Sequence, residues 1–347
     1  MRKLFFSQLL FILPLLLLLG CKSKGGIFTP TASGRPYEVL VVVDHDLWER
    51  PAGRALYNAL DTDVPGLPQA ESSFYIMYSS PKDYDSTLKL LRNILIVDIQ
   101  PDRYTQAKFS YSNNVYAYPQ VIVNIQAPSE KEFEEFVNEN KQVIVDFLTR
   151  VEMNRQIAIL EQKHSQLVNE TVRSIFDCEV WVPGELNATK TGEDFFWVGT
   201  NKATGDQNLI IYSYPYKDKD TFTAEYFINK RDSVMKVNVP GARPGMYMST
   251  ETIGLTTRDI EVQNKYAMET RGLWKVKGDF MGGPFVAHTR VDEKNQRIIT
   301  AEVFVYAPDK LKRNLTRQIE ASLYTLRLPL DREQKISKTE NDSIKTE

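Results

Sequence analysis

No glycine or proline interrupts the chain between Ser129 and Val182, so the residues that normally end or kink a helix are missing from this stretch. Ser129, with Glu132 three residues on, forms a capping box. Phe133, Phe136, Val137, Val143, Ile144, Phe147, Leu148 and Val151 then recur at helical spacing. A second helical stretch runs from about Asn154 to Phe176. One continuous helix would fit, but usual helix lengths place a break near residues 150–155.

Strand signals flank this region on both sides. Tyr37 to Val43, Ser73 to Tyr78, Asn93 to Ile99, Lys108 to Ser112 and Gln120 to Ile125 are rich in β-branched and aromatic residues. Arg54 to Leu60 and Tyr84 to Leu91 read as short helices between them. Beyond the helical stretch, strands are expected at Cys178–Val182, Phe195–Val198 and Leu209–Tyr214, with Gly205-Asp206 in the connection between the last two. A helix follows over Phe222–Val237. Tyr266–Lys277, Phe285–Val291 and Arg297–Tyr306 read as a meander turned at Gly282-Gly283 and Asp292–Asn295, and a last helix covers Pro308–Leu326. Val121 to Pro128 and Val303 to Pro308 echo one another, each a strand followed by Ala-Pro and a helix. Proline is common at helix starts, so the echo also has an ordinary explanation. The expected fold is α+β, in two halves, 35–152 and 153–330, which are related if the echo is a true repeat. Each half would hold a mainly antiparallel sheet packed by helices and closed by its strand-Ala-Pro-helix unit.

Residues 1–20 read as a signal peptide. Arg2 and Lys3 precede an apolar run from Leu4 to Leu19 that Ser7, Gln8 and Pro14 interrupt, the shape of a secretory signal rather than a membrane span. The run ends Leu18-Leu19-Gly20-Cys21, which resembles the lipobox of bacterial lipoproteins. That resemblance implies acylation of Cys21, with membrane lipid as its partner and several chains giving a stable anchor. Residues 21–34 would then be lipidated cysteine and tether, and 331–347 a disordered tail. Lys22 after the cysteine points to the outer membrane, and the lack of an acidic cluster after it to the periplasmic face. The balance of 43 basic against 45 acidic residues argues against a nucleic-acid partner. The only other cysteine is Cys178, so the mature chain has no disulfide partner for it. It reads as a buried thiol. Three histidines make a His-rich metal centre improbable, and no cofactor motif occurs.

Asp44-His45-Asp46 follows the most apolar strand, where α/β ligand sites tend to form. Two carboxylates around an imidazole could bind a cation or move a proton; a solvated turn with Asp46 as helix cap and Trp48 as core is the favoured reading. Trp48, Trp274 and Tyr214 are candidates for stacking a glycan or peptide, against plain packing. The paired glycines at 282–283 read as a hairpin turn rather than an anion loop. Asp85-Ser86-Thr87, Asp232-Ser233-Val234 and Asp342-Ser343-Ile344 resemble the short O-glycosylation acceptor of Bacteroidetes, making Ser86, Ser233 and Ser343 candidate modification sites.

The lipobox, Arg35-Pro36-Tyr37-Glu38-Val39-Leu40-Val41-Val42, Trp48, Val64-Pro65-Gly66-Leu67-Pro68-Gln69 and Gly272-Leu273-Trp274 with Met281-Gly282-Gly283-Pro284-Phe285 together resemble an uncharacterised lipoprotein family of Bacteroidetes, a domain of unknown function. The resemblance implies a Gram-negative envelope and brings no catalytic residues with it. The leading expectation is a membrane-anchored envelope lipoprotein that binds or assembles, with an envelope protein or glycan as partner. The alternatives are a lipoprotein capturing glycan or peptide between its halves, and an envelope hydrolase using Asp44, His45 and Asp46.

Overall fold

The computed structural model describes residues 29–333. In the first half, β1 (Glu38–Val42), β2 (Tyr75–Ser79), β3 (Asn93–Ile99), β4 (Lys108–Asn113) and β5 (Val121–Ala127) form a sheet in the order β2-β1-β3-β5-β4. Helices α1 (His45–Glu49), α2 (Pro51–Leu60), α3 (Glu130–Glu139) and α4 (Lys141–Lys163) complete it. The α+β architecture in two halves is as expected, but this first sheet is mixed. β2, β1, β3 and β5 run parallel, and only β4 is antiparallel. The reason lies in the near-continuous apolar runs of β1, β3 and β5, which suit strands covered on both faces. Val39, Val41, Leu95 and Val123 pack against Leu56, Phe133 and Leu148 on one side. Leu40, Val42, Ile94 and Ile122 pack under Met77, Leu88 and Leu91 on the other.

The second half adds α5 (Gln166–Phe176), β6 (Ala188–Gly192), β7 (Phe195–Gly199), β8 (Asp206–Pro215), α6 (Ala224–Asn238), β9 (Met248–Val262), β10 (Lys265–Val276), β11 (Gly282–Asp292), β12 (Arg297–Tyr306) and α7 (Arg313–Thr325). Its seven strands pair antiparallel throughout, in the order β6-β7-β8-β12-β11-β10-β9. Alternate residues send one apolar layer to α5 and α7 and the other to α6. Arg231 of α6 enters that second layer and pairs with Glu302 of β12 at 2.8 and 2.7 Å, both side chains being fully buried. The strand-to-helix echo is present locally, yet β5 has a parallel neighbour and β12 only antiparallel ones.

Several local expectations change. The helix read over Tyr84–Leu91 is a single 3₁₀ turn at Leu88–Leu90, because the Asp85 carboxylate accepts from the N–H groups of Thr87 and Leu88 and turns the chain. Residues 178–182 form no regular strand; Val180 N–H donates to the Asn169 side chain and Trp181 N–H to Thr325 Oγ1, so side chains replace a neighbouring strand. Gly282 and Gly283 begin β11, and the turn lies just before them. They are small because a Cβ there would meet the Trp274 carbonyl at 2.8 Å and the Val305 carbonyl at 2.1 Å. Strands β6 and β9, both polar and mostly exposed, had no apolar signal.

The break near 150–155 is absent. Helix α4 runs 23 residues to Lys163, and the interruptions fall at Asn140 and His164–Ser165. What changes within α4 is the core it serves. Ile144, Val145 and Leu148 belong to the first half, whereas Met153 and Leu160 pack on Trp181 and Ala321 of the second. Glu152 sits at the changeover, 3 % exposed, bonded to Arg92, Asn93 and Arg155. These bonds to Glu152 keep the helix regular where two cores meet.

Candidate functional site

The Asp44-His45-Asp46 segment opens α1 on the surface, with all three side chains exposed. The cap is Asp44 rather than Asp46: its carboxylate accepts from Asp46 N–H at 3.0 Å. His45 lies 6.1 Å from the Tyr78 ring. Trp48 is buried, stacked on Tyr78 at 5.7 Å and edge-on to Tyr57.

Trp274 and Tyr214 sit in the layer beneath α6. Trp274 Nε1 donates to the Val305 carbonyl at 3.2 Å. Tyr214 stacks on Tyr212, and burial pushes its hydroxyl well above the ordinary range. The structure thus brings Trp274 and Tyr214 into one core and leaves Trp48 in the other half. Cys178 is buried, donates to the Phe176 carbonyl, and burial pushes its thiol up to about 12. Ser86 and Ser233 are exposed. Cys21 and Ser343 lie outside the described residues. Among the described residues no group of histidine, cysteine and carboxylate side chains is arranged to hold a metal, and no helix is long and apolar enough to cross a membrane.

The most constructed polar site lies where the halves meet. Glu71, 6 % exposed, accepts from the backbone N–H groups of Lys312 at 2.7 Å and Arg313 at 2.9 Å, at the start of α7. Arg313 donates to the Ser72 carbonyl and Arg317 to the Ser73 carbonyl at 2.7 Å. Three consecutive residues of the first half are therefore gripped by one helix end of the second. Beside this grip is a cleft of about 300 Å³, bounded by Asp63, Pro65 and Thr149 on one side and Arg258, Arg271 and Glu320 on the other. An adjoining hollow of about 400 Å³ shares Thr149, Arg258, Arg271 and Glu320 with it.

Strand register builds the floor. Arg258 of β9 lies opposite Glu269 of β10, which lies opposite His288 of β11. Arg258 Nε donates to Glu269 Oε1 at 2.5 Å. Arg271, two residues along the same face, donates to both Glu269 oxygens at 2.8 and 2.9 Å and to Glu320 of α7. Burial would raise the Glu269 carboxyl, but Arg271 and its other donors hold it far below the usual carboxylate range. The same carboxylates keep buried Arg271 charged against its desolvation. Gly66 of the first half closes over this arginine; its φ of 79° and a Cβ distance of 3.1 Å to Arg271 leave no room for a side chain.

Two members of the cluster stand apart. His288 is fully buried, 3.7 Å from Glu269, with no hydrogen-bond partner on either ring nitrogen among the described residues; burial pushes it below its ordinary value. Arg317 is 6 % exposed and has no carboxylate within ion-pair distance among the described residues. Its guanidinium lies 4.5 Å from the Tyr37 ring centre, and burial pushes it down to about 10. Thr149 Oγ1, across the cleft, is also buried without a hydrogen-bond partner among the described residues.

Pro65 and Gly66 lie in the stretch that carries the family resemblance, but none of the charged cleft residues stood out in the sequence. The available signal was Glu269 and Arg271 at alternate positions of an otherwise packed strand, and Arg317 with Glu320 one turn apart on a helix. Each charge alone reads as a solvated face.

Two family models match the chain: a domain of unknown function (DUF8532) over residues 32–161 and another (DUF4837) over residues 165–325. They correspond to the two halves, meet between Glu161 and Ser165, and are consistent with an uncharacterised family. The search of curated proteins finds no match.

Proposed function

We propose that this chain is a cell-envelope lipoprotein of the Bacteroidetes type that binds a ligand or partner at the cleft between its halves and does no chemistry there. Acylation of Cys21 would place it on the periplasmic face of the outer membrane. The observation that carries the binding reading is the state of the ionisable groups in the cleft. Glu269 is clasped by two guanidinium groups and Arg271 by two carboxylates, so neither is poised to exchange a proton. Across the two halves, Thr149 Oγ1 has no hydrogen-bond partner among the described residues, and the Arg317 guanidinium bonds the Ser73 carbonyl with no carboxylate paired to it there. A cleft with a locked floor and spare donors on both walls suits recognition.

Photo-cross-linking in intact envelopes tests it, with a benzophenone amino acid at Thr149 and a control at Lys236 on α6. A discrete adduct from position 149 and none from 236 is expected. Identical patterns from both positions would remove the cleft as the binding site. Radiolabelled palmitate tests the anchor separately: label should enter the wild-type chain and not Cys21→Ser.

A further inference from the structure

The first described segment is zipped into the first half. Tyr118 N–H donates to the Pro30 carbonyl and Ala32 N–H to the Tyr118 carbonyl, each at 2.8 Å, and Ser33 N–H donates to the Leu90 carbonyl at 2.8 Å. The surface at that point is unusually aromatic. Tyr118 is 62 % exposed, Tyr111 54 %, Val115 50 % and Tyr116 41 %. These side chains are held open by a fixed loop. Gln120, nearly fully buried, accepts from Tyr116 N–H at 2.9 Å and donates to the Lys89 and Leu91 carbonyls, while its own N–H donates to Asn114 Oδ1. Beside the loop is a hollow of about 380 Å³ lined by Tyr111, Tyr118 and Phe147, and its charged lining residues, Arg150 and Arg155, are both cationic. Arg155 is paired with Glu152, whereas Arg150 is exposed, with its guanidinium 5.3 Å from the Tyr324 ring centre.

We infer that this face rests on the phospholipid headgroups of the bilayer that holds Cys21. The inference rests on the anchored reading given above. From Cys21 to Pro30 the chain reaches about 30 Å at full extension, so an anchored Cys21 keeps the Tyr118 loop within that distance of the membrane. A tether this short presents the loop to the surface at an effective concentration on the order of millimolar, enough to populate a weak contact. Tyrosine suits the interface because its ring is apolar and its hydroxyl stays hydrated. Arginine beside it matches lipid phosphate. The contact sets which way up the molecule sits.

The test uses the full acylated chain carrying Val115→Cys, labelled with an environment-sensitive fluorophore and reconstituted in phosphatidylethanolamine–phosphatidylglycerol vesicles that contain a headgroup nitroxide lipid. Labelling is selective because Cys178 is buried and its thiol is pushed up to about 12. Quenching at position 115 is expected to exceed that of a Lys236→Cys control by about threefold or more, as an interfacial site requires. Replacing Tyr116 and Tyr118 with serine should bring it down to the control. Equal quenching at 115 and 236, or quenching that survives both serines, in protein whose intact mass carries the acyl chains, overturns the contact and leaves the anchor standing. An intact mass without acyl chains overturns both.

Discussion

Glu71 caps a helix that belongs to the other half of the molecule: its two carboxylate oxygens take the N–H groups of Lys312 and Arg313. A carboxylate at a helix N-terminus satisfies orphan donors and meets the positive end of the helix dipole. Here the stabilisation spans the two halves of the molecule. Glu71→Ala is therefore expected to cost about 1–2 kcal/mol, with Glu71→Gln intermediate. Urea unfolding followed by circular dichroism measures it. A loss under a few tenths of a kcal/mol would mean the contact is incidental.

Glu269→Gln removes one carboxylate from a buried cluster and leaves Arg271 and Arg258 undercompensated, at a cost of about 3–5 kcal/mol at neutral pH. The sign with pH follows from the direction of the shift. The folded-state carboxyl is held below its ordinary value of 4.5, so its contribution is complete above that value and fades as pH falls below it. The stability difference between wild type and Glu269→Gln should shrink in acid, readable from urea midpoints at pH 7 and pH 3.5. A difference that grows in acid would contradict the ionised assignment.

His288 predicts a second acid limb at higher pH. Burial holds it neutral and below its ordinary 6.5 when folded, so the unfolded chain takes up a proton first as pH falls through 6.5. Wild type should lose stability between pH 7 and pH 5, and His288→Phe should flatten that loss. The phenyl ring can keep the edge-to-face contact with Tyr324 at 4.8 Å. Parallel pH profiles for the two proteins would show that His288 does not titrate on unfolding.

Arg317 should behave unlike Arg271. Its folded-state pKa is lowered to about 10, the mark of a charge that its surroundings disfavour. Arg317→Met is therefore expected to change stability by no more than about 1 kcal/mol, while reducing cross-linking from position 149 severalfold. Strong destabilisation would make Arg317 a structural pin between the halves rather than a binding group.

Much of the scaffold was legible because it is local. The β-branched runs of β1, β3 and β5 and the capping box at Ser129 each declare an element from adjacent residues. Strand direction in the first sheet was not, since a parallel and an antiparallel neighbour leave the same apolar run. β9 was missed because its Thr, Glu and Arg residues face solvent along an edge. The cleft was illegible for a deeper reason. Glu71 and Lys312, or Arg271 and Glu320, are far apart in sequence and look like ordinary surface charges until tertiary packing removes their water. The Asp44-His45-Asp46 cluster stood out as local density, yet Asp44 is occupied with its own helix end.

Helix α4 is a continuous rod shared by both cores. At 1.5 Å per residue it measures about 35 Å. A strut of that kind transmits rotation without absorbing it. The halves are held around the cleft by this shared rod and by the bonds that residues 71–73 make with the start of α7. Because Met153 and Leu160 of the same rod pack on Trp181 and Ala321, loosening those bonds alone leaves the second half seated on α4, and the width of the opening is shared among all of these contacts.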